Sequence, residues 1–600
     1  MCRIFGCFGD RPKYNELKQV SLLQVHGGPD SQSIVAGENW GLGNNRLAIM
    51  DPNGGQQPFS LYGIQVVFNG EIYNHHSLRQ KLSAMGYAFD DHCDGNVLPA
   101  LYDAYGDDFV DHLDGMFAIA IVDLRKEPRL ILVNDHAGMK SLYYQLPSAR
   151  NNNLYFASEL PALFGFEAVV REEDAGALEN YLAHKSFFGS HTAYKGIHQL
   201  EPRTTLTYSL SHGVNFVTRP SPTSLYEEEA GLNFRDALSR EIQSLLSSDV
   251  PVCAITSGGL DSSLVTAMAS RFHPELHTFN IAYEGNWPAD ESSYALEVSR
   301  QANTVHHQIR VAPETFPDLL DDVIWHLGQP NADPITLSTY ALFKEVRQAG
   351  FKVALTGDAA DELLGGYERT VSAMSNSQES WAQTYRDALS AIPLGTRASL
   401  YSDEYREHAL DIYGRDKKSA LVESYSDNRY NAITRHEIER RMPAYHLRRV
   451  DHMSMAHSVE ARMPFCQRSI MALASAVPGT DAIRNGRGKT PLYEAGRGLL
   501  PDSVLNRRKQ PFTLPITSML ATGQPLMEHA AEVLTDPVAF SSGQLSKERI
   551  QALLNAQMSN PSDLNAMSIW SLMVFTKWRM SLNSRAPSFQ SSRISEQVSA

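Results

Sequence analysis

The chain has 600 residues, 42% of them hydrophobic and 20% charged, with a formal net charge of −15. That length exceeds what one hydrophobic core organises, so two or more domains are expected, and the acidic balance argues against nucleic acid or an anionic membrane surface as a partner. The five cysteines, Cys2, Cys7, Cys93, Cys253 and Cys466, are scattered with neither metal spacing nor a disulfide framework. The start carries no basic-then-apolar leader and no run reaches the roughly 18 apolar residues of a membrane helix, so a cytoplasmic protein is expected.

Cys2 follows the initiator methionine directly. Removal of Met1 would leave a thiol and a free α-amine on one residue, a nucleophile with its own base. The next two hundred residues read as strands and turns. IQVVFNGEIYN (64–74), MFAIAIVDL (116–124) and RLILVNDHAG (129–138) are β-rich runs bounded by turn residues, with helical stretches near 76–85 and 95–105. A layered α+β domain with antiparallel sheet follows. Pro, Ser and Thr concentrate at TRPSPTSLY (218–226), which marks a linker over 216–226. Beyond it a helix is expected over 227–247, then strands at VPVCAIT (250–256), LHTFNIAY (276–283) and GFKVALTGD (350–358). Strands alternating with helices imply a parallel sheet. From about 370 the pattern is mostly helical, and 585–600 reads as a disordered tail.

ITSGGLDSS (255–263) is the most specific stretch. A buried strand runs into Gly258 and Gly259, which let a phosphate approach the backbone, and then into a helix whose N-terminus offers free N–H groups. Ser257, Ser262 and Ser263 add hydroxyls, and Asp261 adds an anion able to hold Mg²⁺ against the phosphates. A tight turn alone would explain the two glycines, but LTGDAADELLGGY (355–367) brings a second acidic strand end to the same sheet edge. There Thr356 and Gly357 join the nucleotide site, Asp361 completes the metal pair with Asp261, and Asp358 and Glu362 are available for proton transfer. GKT at 488–490 lacks the leading glycine of a phosphate loop and follows no strand, so it is set aside.

These two motifs resemble the ATP-pyrophosphatase domain of asparagine synthetase. ADESSYALEVSRQ (289–301), QPNADPITLSTYAL (329–342), RVDHMSMAHSVEARMPF (449–465) and LNRRKQPF (505–512) extend the resemblance, and Lys509 falls on the family's lysine that contacts the activated intermediate and pyrophosphate. A cation there would offset charge on the departing group. The N-terminal part resembles a class II glutamine amidotransferase domain, in which the N-terminal cysteine attacks the glutamine amide. NRLAIMD (45–51) then gives Arg46 for the glutamine α-carboxylate, and NGEIYN (69–74) gives Asn69 and Gly70 as oxyanion donors. Glu71 and Asp94 (HCDGNV) hold the substrate ammonium. GGPD (27–30), LDGMFA (113–118) and ASEL (157–160) complete the framework, and the resemblance runs over about 2–515. Cys7, His26, His75, His76, His306, His307 and the other cysteines are taken as structural or surface residues.

The resemblance implies an N-terminal Ntn-hydrolase αββα sandwich over 2–215 and a parallel-sheet ATP-pyrophosphatase (HUP-like) domain with added helices over 227–584. It also implies glutamine, ATP and a carboxylate acceptor as substrates and Mg²⁺ as cofactor. A homodimer is compatible with the sequence, which does not fix the oligomeric state. Aspartate is the default acceptor. The alternatives are another carboxylate, such as a natural-product intermediate, or an amide-forming cyclase of the β-lactam synthetase or lasso-peptide cyclase type. The chain departs from the family at several places: Cys-Gly becomes Cys2-Arg3, His-Arg-Gly-Pro-Asp becomes His26-Gly27-Gly28-Pro29-Asp30, the glutamate of Gly-Glu-Gly becomes Asp358 beside unusual Ala359 and Ala360, and the stretches NDHAGMKSLYY (134–144) and PFCQ (464–467) also differ.

Overall fold

The computed structural model describes residues 2–149, 151–222, 233–285, 287, 290–375, 381–419, 428–507, 510 and 514–582. Lys509 and the tail from 585 lie outside the described residues, as do residues 223–226 of the expected linker.

Alternation along the first strand, Cys2–Phe8, sets up the N-terminal half. Ile4 and Phe8 face one side and pack with Leu42, Val67, Ala120 and Leu132 between two sheets. Phe5 and Cys7 face the other side, among Leu17, Leu160 and Tyr181. The sheet holding this strand has six strands in the order Ile197–Gln199, Tyr143–Gln145, Leu154–Ala157, Cys2–Phe8, Trp40–Arg46, Ser31–Ala36. The second six-stranded sheet runs Gly213–Thr218, Thr204–Ser209, Arg129–Asn134, Gly115–Asp123, Ile64–Ile72, Phe59–Leu61. Every pairing within both is antiparallel. Helices His75–Ala84 and Val97–Tyr105 cover the outer face of the second sheet through Leu78, Leu82, Leu98 and Leu101. Tyr14–Leu23 and Ala177–His184 cover the first, completing four α-β-β-α layers. The strand ending at Thr218 extends into the segment expected as linker.

The C-terminal half opens on helix Phe234–Leu245. Asn233 caps it by accepting the Asp236 N–H at 3.0 Å, and Phe234, Ala237, Leu238, Ile242 and Leu245 form its buried stripe. Five parallel strands follow in the spatial order Val305–Val311, His277–Tyr283, Val252–Ile255, Val353–Leu355, Glu460–Arg462. Three of these are expected from the sequence. Val305–Val311 escapes because it is a half-exposed edge strand whose sequence, VHHQIRV, has no clean apolar alternation. Glu460–Arg462 escapes because its two charged side chains bury by pairing with each other, Arg462 Nε to Glu460 Oε1 at 2.6 Å, within a stretch that reads as helical. The chain leaves Val252–Ile255 toward one edge and returns on its other side, so the crevice between that strand and Val353–Leu355 is the switch point where ligands bind in such sheets.

The halves share one apolar cluster, in which Phe5, Tyr181 and Tyr194 meet Trp325, Trp570 and Trp578. Helix Asp563–Leu582 supplies the last two and is buried along most of its length. Trp578 stacks edge-on to Tyr194 at 5.4 Å and donates its indole N–H to that hydroxyl at 3.0 Å. Trp578→Ala should cost about 3–5 kcal/mol, seen as an earlier midpoint in urea unfolding; an unchanged midpoint would mean that this junction collapses around the loss.

Candidate functional sites

Cys2 begins the first strand in register with Arg46 and is 4% exposed. Its backbone N–H donates to Asn69 Oδ1 at 3.2 Å, and Gln57 Nε2 reaches its Sγ at 3.3 Å. Asn69 sits on the inter-sheet side of Ile64–Ile72, fully buried, and its Nδ2 has no hydrogen-bond partner among the described residues. A buried donor left unpaired costs free energy unless a ligand completes it. Gly70 is required by its backbone: φ is +154° and a Cβ would lie 2.0 Å from the Met116 carbonyl oxygen. The other four cysteines are buried, and burial pushes their thiols up, Cys7 to about 12. Nothing among the described residues activates them.

Arg46 Nη2 donates to the carbonyls of Met50 and Asp51 at 3.1 and 2.8 Å. Asp94 Oδ2 accepts the Ile72 N–H at 2.8 Å, on the residue next to Glu71. Burial raises both Glu71 and Asp94, and each carboxylate's neighbourhood includes further acid: Asp94 raises Glu71, and Glu460 raises both. Arg462 of the C-terminal half opposes this, its Nη2 lying 3.5 Å from Glu71 Oε2. The enclosed negative charge of the two acids is thus offset by Arg462 only at Glu71.

The second site lies at the switch point. Ser262 Oγ accepts the Ser257 N–H at 3.0 Å and meets Ser257 Oγ at 2.8 Å, drawing the SGG loop around the helix start. Gly258 has φ +83°, and a Cβ there would meet Ala295 N at 2.8 Å. A Cβ on Gly357 would meet Ser262 N at 2.6 Å, so the two strand-end loops are in contact. Ser263 and Thr356 are buried, with hydroxyls that find no partner among the described residues. Arg507 Nη2 pairs with Glu291 at 2.6 Å and comes within 3.8 Å of a Cβ placed on Gly259, which brings the LNRRK segment to this loop.

Two expectations change here. Lys489, set aside with GKT, is 3% exposed and its Nζ joins Asp261 Oδ2 at 2.6 Å and Asp361 Oδ1 at 2.9 Å. The segment is no phosphate loop, yet its lysine enters the site from 128 residues beyond Asp361, a contact no local spacing reveals. Two carboxylate oxygens thus converge on one cation, the ligand type that hard divalent cations take. Glu362 is not available for proton transfer: it is 3% exposed, its Oε1 is 3.0 Å from His446 Nε2 and accepts the Tyr367 hydroxyl. Burial alone would raise Glu362, but these partners hold it well below the carboxylate range.

Asp358 pairs with Arg449, Nη2 to Oδ1 at 3.3 Å, and the same guanidinium takes Asp333 of QPNADP. Arg449 starts the RVDHMSM motif in helix Arg448–Met455, and two residues on, Asp451 meets the first strand on the face opposite Cys2. Asp451 Oδ2 accepts Arg3 Nη1 and its Oδ1 accepts Lys140 Nζ, both at 2.9 Å, while Arg3 Nε donates to Glu159 at 2.7 Å. Burial would raise Asp451, but Lys140 and Arg3 hold it down to about 2. A Cβ added to Gly27 would fall 2.6 Å from Arg3 Cγ and 2.7 Å from its Nε. Arg3 therefore fills the space a side chain at 27 would use, and the two departures at 3 and 27 are one exchange of arginine for glycine. His26, Glu159 and His326 are the group of three possible metal ligands found among the described residues, but Arg3 already neutralises Glu159.

Residues 1–215 match the family model described as a glutamine amidotransferase domain, and residues 233–580 match the one described as asparagine synthase. The chain is similar to the glutamine-hydrolysing asparagine synthetase 1 of Bacillus subtilis (strain 168), 30% identical over 620 residues that cover 96% of each chain. It is 28% identical to asparagine synthetase 3 of the same organism, over 81% of this chain and 82% of that one. With asparagine synthetase B of Escherichia coli (strain K12) it shares 29% identity over 86% of this chain and 82% of that one.

Asn69→Ala should lower glutamate release from glutamine about 10²–10³-fold while ammonia-supported turnover persists; an equal loss with both nitrogen sources would mean a folding defect instead. Arg3→Gly leaves two buried carboxylates short of a counter-charge and should raise the glutamate released per pyrophosphate. Adding Gly27→Arg to that variant should restore the ratio, and a double variant no better than the single one would show that the two positions do not share one space.

Proposed function

We propose that this chain, which belongs to the asparagine synthase family, amidates a carboxylate with nitrogen drawn from glutamine, and that aspartate is the acceptor. The observation that carries the first half-reaction is Asn69, whose oxygen holds the Cys2 nitrogen while its buried Nδ2 has no acceptor. With Met1 removed, the Cys2 amine takes the thiol proton directly or through water, and sulfur attacks the glutamine side-chain amide. Asn69 Nδ2 and the Gly70 N–H receive the charge that builds on the amide oxygen. Arg46 binds the substrate carboxylate, and Glu71 with Asp94 its ammonium. Ammonia leaves, and water later releases glutamate from the thioester.

In the second half-reaction the acceptor carboxylate attacks the α-phosphorus of ATP and pyrophosphate departs. Ser257, Gly258, Gly259, Ser262 and Ser263, with Thr356 and Gly357, form the nucleotide cradle, and Lys489 and Lys509 offset charge on the leaving group. Mg²⁺ bound with ATP would be held by Asp261 and Asp361 and would supply charge neutralisation on the phosphates. Ammonia reaching the acyl-adenylate through the interior attacks its carbonyl, the bond to the phosphate oxygen breaks and AMP leaves as the amide forms, and Asp358 takes the proton that ammonia loses. Arg449 positions Asp358 for this, its Nη2 lying 3.3 Å from Oδ1. Shielding the acyl-adenylate from water is the reason to make ammonia inside the same chain.

Purified protein with ATP, Mg²⁺ and glutamine should release pyrophosphate in an aspartate-dependent manner and form asparagine. Steady glutamate release without that dependence would transfer the proposal to a different carboxylate acceptor. Absence of glutamate from a chain whose N-terminus is confirmed as Cys2 would sink the first half-reaction.

A further inference from the structure

A side chain from outside the sequence motifs reaches the Cys2 sulfur. The short strand Phe59–Leu61 pairs antiparallel with Ile64–Ile72, Phe59 lying opposite Val66. Continued backwards, that register would set Gln57 opposite Phe68, but the ladder stops at Phe59. The Gln57 side chain takes over the part of the missing backbone. Its Oε1 accepts the Phe68 N–H at 2.8 Å, and its Nε2 donates to the Phe68 carbonyl at 3.2 Å. Exchanging the oxygen and nitrogen would set donor against donor and acceptor against acceptor, so these two bonds fix which way the carboxamide faces.

One hydrogen of Nε2 is spent on Phe68, and the second serves Cys2 Sγ, 3.3 Å away. Both side chains are buried, so water offers little substitute. Among the described residues this is the hydrogen bond that the Cys2 sulfur makes. The charged side chains on the strands around it are Arg46, opposite in register, and Glu71, two residues past Asn69 and beside Asp94; none of them pairs with the sulfur. Cys93 shows the opposite arrangement. Its Sγ donates to Asp94 Oδ1 at 3.4 Å, and burial and the Asp94 charge push that thiol up. The residue after Phe68 is Asn69, which takes the Cys2 N–H. Neighbouring positions on one strand therefore address the nitrogen and the sulfur of Cys2 separately.

We propose that Gln57 is a further catalytic residue, whose Nε2–H stabilises the Cys2 sulfur whenever it carries its electron pair as a thiolate. A donor favours the charged form of the atom it faces, and a thiolate is the reactive form of cysteine. The role in turnover rests on the glutaminase reading, under which sulfur is charged twice. The first time, the thiol proton has passed to the Cys2 amine and the electron pair has not yet formed the bond to the amide carbon. The second time, water has added to the thioester, the carbon–sulfur bond breaks and the electron pair returns to sulfur, which then recovers its proton from the amine. Between these points sulfur is neutral, so the donor discriminates the charged states from the thioester.

Alkylation with iodoacetamide, read by peptide mass spectrometry on the full chain with Cys2 confirmed as its N-terminus, tests the contact without glutamine. Gln57→Met removes the donor and both bonds to Phe68. Gln57→Glu keeps an acceptor for the Phe68 N–H but has no hydrogen for the sulfur. At about pH 7 both variants should alkylate Cys2 about tenfold or more slowly than the unaltered chain. The Gln57→Met deficit should close at about pH 10, where the thiolate forms without a donor. A Gln57→Glu rate equal to that of the unaltered chain at the lower pH would reduce the residue to a clamp on Phe68 and overturn the proposal. So would a Gln57→Met deficit of the same size at both pH values, the mark of a displaced sulfur. The expected alkylation pattern, with no glutamate released from glutamine by the unaltered chain, would support the contact and count against the glutaminase reading.

Discussion

The structure depends on a buried charge cluster that begins one residue after Cys2. Arg3, Lys140, Asp451 and Glu159 are all essentially excluded from solvent. Each such ion costs several kcal/mol to desolvate, and the cost is offset only when partners are met in good geometry. Strand alternation explains why Arg3 can serve this end. Cys2 faces the inter-sheet side with Asn69, so the next side chain must emerge on the opposite face, where helix Arg448–Met455 presents Asp451. The halves can close only in the register that satisfies all four charges, and that register also places Arg462 beside Glu71.

The exchange between positions 3 and 27 shows what is constrained and what is free. A guanidinium between Glu159 and Asp451 is required by the two buried carboxylates. Its point of attachment is not, provided that the donor of the space is glycine. Arg3 and a side chain at 27 would overlap, so each residue is intelligible only with the other. The switch-point crevice follows a similar rule, for Asp261 and Asp361 converge because Lys489 lies between them, and a cation of some kind is needed there for the two acids to approach.

What was legible in the sequence was what the chain carries locally. SGGLDSS, NGEIYN and the residue behind Met1 announce chemistry because glycine freedom, a helix start and a terminal amine are properties of a few consecutive residues. Three strands of the second antiparallel sheet and three of the parallel strands followed from apolar runs between turn signals, whereas the first antiparallel sheet entered only through the resemblance. Lys489 was not legible, since its role comes from partners far along the chain and its own surroundings in sequence look like ordinary surface. Glu460–Arg462 was hidden for a related reason: a strand whose outward residues are a glutamate and an arginine lacks the pattern that normally marks burial. The mutual pairing that buries them exists only in the folded sheet.

One continuous helical stretch ties these features together. Arg429–His436 passes into Glu437–Leu447, whose turns are widened to the i→i+5 pattern around Pro443, and then into Arg448–Met455. Proline removes one N–H and its ring would clash within a regular α-turn, and a widened turn accommodates both. Widening also rotates the face that follows. The result is that Arg441 meets Glu437, and His446 meets Glu362. Arg449 then meets Asp358, and Asp451 meets Arg3. A displacement of this stretch along its axis would disturb the pairs at Glu71's half and at Asp358 together. Asp358 and the strand that begins at Cys2 are therefore joined through a single helical element rather than through a loop.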